Sequence, residues 1–160
     1  MPRLTLKSCL AKAEELNVPV IGDVSFRGDC KKEDSELIQF FTAVRYHYLQ
    51  YAHLIFHPEN EMKVNGGSSY KHHSVSVAKG RLDGLADIIV LPISKNAPAL
   101  IIELKRCDIS KSLAGEKLKL HFLKQLMCLS SQKQNGAIVC VALGCQNAFK
   151  VFEDYVKQYG

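Results

Sequence analysis

Two short apolar runs do most to decide how this chain can fold. DIIVL (87–91) and ALIIELK (99–105) are dense in Ile, Leu and Val, and a linker holding Pro92, Asn96 and Pro98 separates them. Runs of this length bounded by turn residues predict buried strands, and so short a linker predicts an antiparallel hairpin. The hairpin limits which residues can meet. Alternate side chains of a strand face the same way, so Glu103 and Lys105 share one side while Ile102 and Leu104 take the other. Asp87 opens the first strand, and antiparallel pairing carries it to the far end of its partner, near 103–105. Two carboxylates and an ammonium therefore gather at one end of an otherwise apolar pair of strands.

The rest of the chain supplies helices to cover such a pair. Leu6, Cys9, Leu10, Ala13 and Leu16 have helical spacing, which predicts a helix over 5–16. Pro19, Gly22 and Gly28 make 17–34 an irregular arm. Asp34 or Ser35 would cap a second helix, whose buried face is Leu37, Phe40, Phe41, Val44 and Tyr48. Glu36 falls in its first turn, on the edge of that face. HLIFH (53–57), closed by Pro58, predicts a strand. The polar stretch 58–80 predicts a loop with a weak helix around 70–79. Further on, a helix is expected over 115–131, a buried strand at AIVCVAL (137–143) and a closing helix over 147–159. The order is α-α-β-β-β-α-β-α, an α/β sandwich around one mixed sheet. A chain of 160 residues makes one domain with a sizeable core. The expected division is a helix and arm over 1–33, then the domain proper over 34–160.

Composition narrows the setting. No apolar stretch is long enough to span a bilayer, and the start, MPRLTLKSCL, lacks the apolar run of a signal peptide. None of the six cysteines forms a C-x-x-C pair, so free thiols in a reducing, cytoplasmic setting are expected. The net charge of +5 favours a polyanion partner without requiring one.

Two carboxylates and a lysine can hydrolyse phosphodiesters. Asp and Glu oxygens suit a hard cation such as magnesium, which lowers the pKa of a bound water and neutralises phosphate charge. The backbone carbonyl of Leu104 would complete the coordination of Asp87 and Glu103. The ammonium of Lys105 would orient the water and stabilise developing negative charge. An E-x-K on a strand also describes an ordinary surface ion pair, worth little. Charges closing strands this apolar fit an active-site edge better.

Other patterns carry competing readings. Lys117, His121 and Lys124 share one face of the expected 115–131 helix, and Leu118, Phe122, Leu126 and Leu129 lie mostly on another. That face is either merely solvated or a basic strip gripping phosphates, extended by Lys79, Arg81, Lys105, Arg106 and Lys111. No aromatic residues interleave these charges, which argues against base stacking as the main binding mode. His53 and His57 on a strand would lie about 13 Å apart, too far to share a zinc ion. His72-His73 fits a solvated loop, and Asn65-Gly66-Gly67 a turn rather than a phosphate loop.

The segment 79–106, KGRLDGLADIIVLPISKNAPALIIELKR, resembles the core of the PD-(D/E)xK nuclease superfamily and is most similar to its VRR-NUC branch. Lys79-Gly80, Gly84-Leu85-Ala86-Asp87 and Ile102-Glu103-Leu104-Lys105 occupy that branch's motif positions, with Ala86 where proline is commoner. Glu36 matches the glutamate opening the branch's first core helix. HPENE (57–61) is similar to its H-x-x-N-E segment. Gln125 matches its helical glutamine. Gly136 with AIVCVAL, and the tail 148–155, match its closing elements loosely. The likeness spans roughly 34–158. It implies a restriction-endonuclease-like core, a mixed central sheet flanked by helices. It also implies a magnesium- or manganese-dependent endonuclease in which Asp87 and Glu103 bind metal and Lys105 assists the water. Glu36 would add a carboxylate, directly or through water, and Gln125 would steady the site. Branched DNA such as a four-way (Holliday) junction or flap, a homodimer making paired cuts and a phage or bacterial origin follow from the same likeness. The competing expectation is a non-catalytic nucleic-acid-binding module that keeps the fold.

Overall fold

The computed structural model describes residues 2–58 and 69–160. Residues 59–61 of HPENE and the Asn65-Gly66-Gly67 turn lie outside them. Five strands form one mixed sheet in the order β1-β5-β4-β3-β2. They are β1 (Val20–Ile21), β2 (Ile55–Phe56), β3 (Ile88–Val90), β4 (Leu100–Lys105) and β5 (Ile138–Leu143). The expected hairpin is β3–β4, antiparallel, with Ile88 opposite Ile102 and Val90 opposite Leu100. β5 lies parallel to β4, and β1 parallel to β5.

Strand alternation sends β4 side chains into two cores. Ile101, with Val139, Val141 and Leu143 of β5, packs under α1 (Leu6–Glu15) and α5 (Glu116–Gln134), where Cys9, Ala13, Phe122, Leu126 and Leu129 are buried. Leu100, Ile102 and Leu104 pack on the opposite face. There α2 (Glu33–His47) and α6 (Cys145–Tyr159) bury Phe40, Val44, Ala148 and Phe152. Each fully buried Val, Leu, Ile or Phe among them contributes about 1.5–3 kcal/mol. Glu103 and Lys105 belong to the first face by parity, at the end of the central strand.

Several local expectations change. The segment 17–34 is not wholly irregular: Val20–Ile21 closes the sheet edge because Pro19 O accepts from Val141 N at 2.8 Å. The cap of α2 is Lys32, with no side-chain bond, rather than Asp34 or Ser35. Glu33, Asp34 and Glu36 occupy its first turn, where negative charge suits the helix dipole. HLIFH begins inside a 3₁₀ turn (Leu49–Leu54), which leaves only Ile55–Phe56 as strand and takes His53 out of the sheet. The weak helix is α3 (Ser69–Ala78); it holds His72 and His73, whose side chains lie outside the description. A short α4 (Ile109–Ser112) precedes α5 and is capped by Asp108, which accepts from Ser110 N. All six cysteines are free thiols. Among the described residues no helix is long and apolar enough to cross a membrane.

Candidate active site

The hairpin register places Asp87 one residue before the Ile88–Ile102 pair, beside Glu103 and Leu104. Asp87 Oδ2 accepts from Leu104 N–H at 3.0 Å, so the carboxylate is fixed to the partner strand. His57 Nδ1 lies 2.6 Å from Asp87 O. A carbonyl only accepts, so that nitrogen carries the proton and donates. Backbone groups of one residue point to the same neighbouring strand. The Leu104 carbonyl therefore faces the β3 side, as its N–H does, beyond the last β3 partner.

Glu103 and Lys105 are 1% and 6% exposed. Lys105 Nζ stands 2.9 Å from Glu103 Oε1 and 3.9 Å from Glu33 Oε1, and 5.6 Å above the centre of the Phe122 ring. Glu103 Oε2 has no hydrogen-bond partner among the described residues. Burial is the largest influence on this carboxyl and pushes it well above the usual carboxylate range. The Lys105 cation opposes that, and Asp87 reinforces it. For Lys105 desolvation alone would lower the value, but Glu103, Glu33 and Asp87 outweigh it and hold the ammonium protonated.

These groups border a cavity of about 590 Å³ walled by α2, the 81–87 loop and α5. Gln125 reaches it, nine-tenths buried, with Oε1 lacking a partner among the described residues. His121 and Leu118 line the same wall, so Leu118 is partly turned to the cavity rather than fully to the core. Burial first, then the Lys105 and Lys124 cations, lower the His121 pKa. Arg81 also lines the cavity.

The remaining expected residues divide. Glu36 is buried but turned away from the cavity: its Oε2 accepts from Cys145 N–H at the start of α6. The α2 carboxylates that line the cavity are Glu33 and Asp34; Glu33, one turn before Glu36, also accepts from Ser112 Oγ at 2.6 Å. Arg106 spends its guanidinium on the Lys31 and Cys30 carbonyls, and Lys111 on that of Gly28. Both hold the arm rather than standing open to a phosphate. Lys79, Lys117 and Lys124 are exposed. Sequence reasoning missed Glu33 and Ser112, and read His57 only as the start of HPENE and as a rejected zinc ligand. Glu33 left a signal, as another acid in the same first turn.

Among the described residues no three of His, Cys, Asp and Glu gather into a metal cage. Magnesium does not need one; it commonly takes one or two carboxylates and keeps several waters. Asp87, the unpartnered Oε2 of Glu103 and the Leu104 carbonyl fit that pattern, and a cation would supply the compensation that buried carboxylate lacks. His57 Nδ1 is engaged by the Asp87 carbonyl, and His53 stands apart in the 3₁₀ turn.

No protein-family model and no curated protein matches the sequence. A solved structure described as a VRR_NUC domain protein shares the fold, with a TM-score of 0.56 over 82% of this chain and 92% of its own, at 20% identity.

Proposed function

We propose that this chain is a magnesium- or manganese-dependent endodeoxyribonuclease. The observation that carries the proposal is the meeting of Asp87, Glu103 and Lys105 at the floor of a cavity, with a buried carboxylate oxygen left unpartnered among the described residues. The fold shared with a VRR_NUC domain protein supports the same reading. Asp87, Glu103 and the Leu104 carbonyl hold the cation, which when bound activates a water and neutralises phosphate charge. Lys105 stays protonated and donates hydrogen bonds toward the nucleophile and the negative charge that grows on the phosphate. It cannot be a ligand, because a protonated ammonium has no lone pair. Gln125 offers its unpartnered amide oxygen to the same space. Arg81 and His121 line the cavity, and together with the exposed Lys117 and Lys124 they contact the DNA backbone.

Branched DNA, a four-way junction or flap, is the preferred substrate in this proposal, and a homodimer makes the paired cuts. The protein works in the cytoplasm, where its thiols stay reduced. Labelled duplex, flap and junction DNAs incubated with and without magnesium test the reading. Metal-dependent products, most abundant from a branched substrate, are expected. Binding of all three without cleavage in any divalent metal would identify a non-catalytic DNA-binding module instead.

A further inference from the structure

We propose that Ser112 is a positioning residue for the Lys105 ammonium, acting through Glu33 and through the peptide that follows Lys105; this rests on the nuclease reading above. Ser112 closes the short helix α4 and is buried. Its hydroxyl accepts from Arg106 N–H at 2.9 Å and donates to Glu33 Oε1 at 2.6 Å. The same Glu33 oxygen lies 3.9 Å from Lys105 Nζ. One hydroxyl therefore fixes both the backbone immediately after Lys105 and the second anion beside its ammonium.

The surroundings explain why that link matters. Lysine carries its charge on a flexible four-carbon stem, and Glu103 restrains Nζ from one side only. Glu33 restrains it from another, but its side chain is 40% exposed, so its unaided Coulomb pull is weak. The short bond from a buried hydroxyl selects the carboxylate orientation that faces Lys105. The start of α2 is held by the same segment. Arg106 Nε and Nη2 donate to Lys31 O and Cys30 O at 3.1 and 3.0 Å. Lys111 Nζ donates to Gly28 O at 2.7 Å, and Asp108 accepts from Gly28 N–H at 3.1 Å. Residues 28–33 are thereby tied to 106–112, the stretch leaving the strand that bears Glu103 and Lys105.

The test uses the full chain and four variants: Ser112→Ala, Ser112→Thr, Glu33→Gln and the Ser112→Ala/Glu33→Gln pair. Single-turnover cleavage at saturating magnesium should fall by about tenfold to a hundredfold in Ser112→Ala, the scale of a small misplacement. Substrate affinity and the half-saturating magnesium concentration should not change. Ser112→Thr, which keeps the hydroxyl, should recover most of the rate. The double variant should be no slower than the slower single, because both substitutions cut one link. Additive losses, or a wild-type rate in Ser112→Ala, would overturn the proposal. Side-chain ¹⁵N relaxation of the Lys105 ammonium gives a readout independent of turnover: ordered in the wild type, looser in Ser112→Ala. Equal order in the two would also overturn it. A wild-type protein that fails to cleave, but whose ammonium loosens in Ser112→Ala, would overturn the nuclease reading while supporting the positioning link.

Discussion

Glu103 and Lys105 cannot be separated without cost, because each is buried with the other as its nearest countercharge. Truncating one member of such a pair leaves an uncompensated charge and costs about 3–5 kcal/mol. Lys105→Ala should therefore melt at a lower temperature than the wild type at neutral pH. The sign with pH follows from the carboxyl left behind. Its folded-state pKa is already raised by burial and rises further without the cation. A group raised in the folded state stabilises fully below its unfolded value and loses that contribution as pH climbs toward the folded one. The gap between variant and wild type should thus be smallest near pH 4, around the unperturbed Glu value of about 4.3, and widen toward pH 8. Melting curves at the two pH values check this; a gap that ignores pH would mean the pair is not coupled. The same variant should lose cleavage by about 10²–10³ while keeping its metal, whereas Asp87→Ala should lose metal affinity first. Glu36 has a different part. Because it caps α6 through Cys145 N–H, Glu36→Ala should cost about 0.5–2 kcal/mol of stability, measured by denaturant titration. Its folded fraction should cleave at the wild-type rate; a large rate loss without a stability loss would return Glu36 to the site.

At the scale of elements, the hairpin was legible because strand parity and a short linker leave little choice of register. The nearness of Asp87 to Glu103 and Lys105 followed from that register, while their reading as a site needed the resemblance as well. Which of Glu33 and Glu36 serves the site was not legible. Both lie in one first turn, and the choice depends on bonds to Cys145 and Ser112, each more than seventy positions away in the chain. β1 escaped notice because two residues between Pro19 and Gly22 carry no alternation, and they become a strand only through β5. HLIFH misled for the opposite reason: its apolar content suits a strand, yet His53 and Leu54 end the six-residue 3₁₀ turn Leu49–Leu54. The 81–87 loop gives an element-scale prediction. Gly84 has φ +80°, and an added Cβ would meet Lys124 O at 3.1 Å. A side chain there is strained by about 1–2 kcal/mol and presses on the α5 backbone beside Gln125. Gly84→Ala should lower both the melting temperature and the cleavage rate, and neutral behaviour in both assays would show that the loop adapts freely.

Across the whole molecule, a modest excess of positive charge, +5, meets a cavity whose floor is acidic. In the nuclease reading, the basic groups Arg81, Lys117 and Lys124 would carry the attraction for a polyanion. Lys117→Ala with Lys124→Ala should weaken DNA binding and lower the slope of log affinity against log salt by about one unit per lost phosphate contact. Unaltered affinity and slope would make that helix face merely solvated. The claim on which everything else depends is that the buried carboxylate of Glu103 is there to hold a cation for phosphodiester cleavage. Its most direct test is single-turnover cleavage of a labelled four-way junction in magnesium by the wild type and by Glu103→Gln, an amide of the same shape without the charge. The account predicts metal-dependent products from the wild type and none above background from a folded Glu103→Gln; equal rates from the two proteins would contradict it.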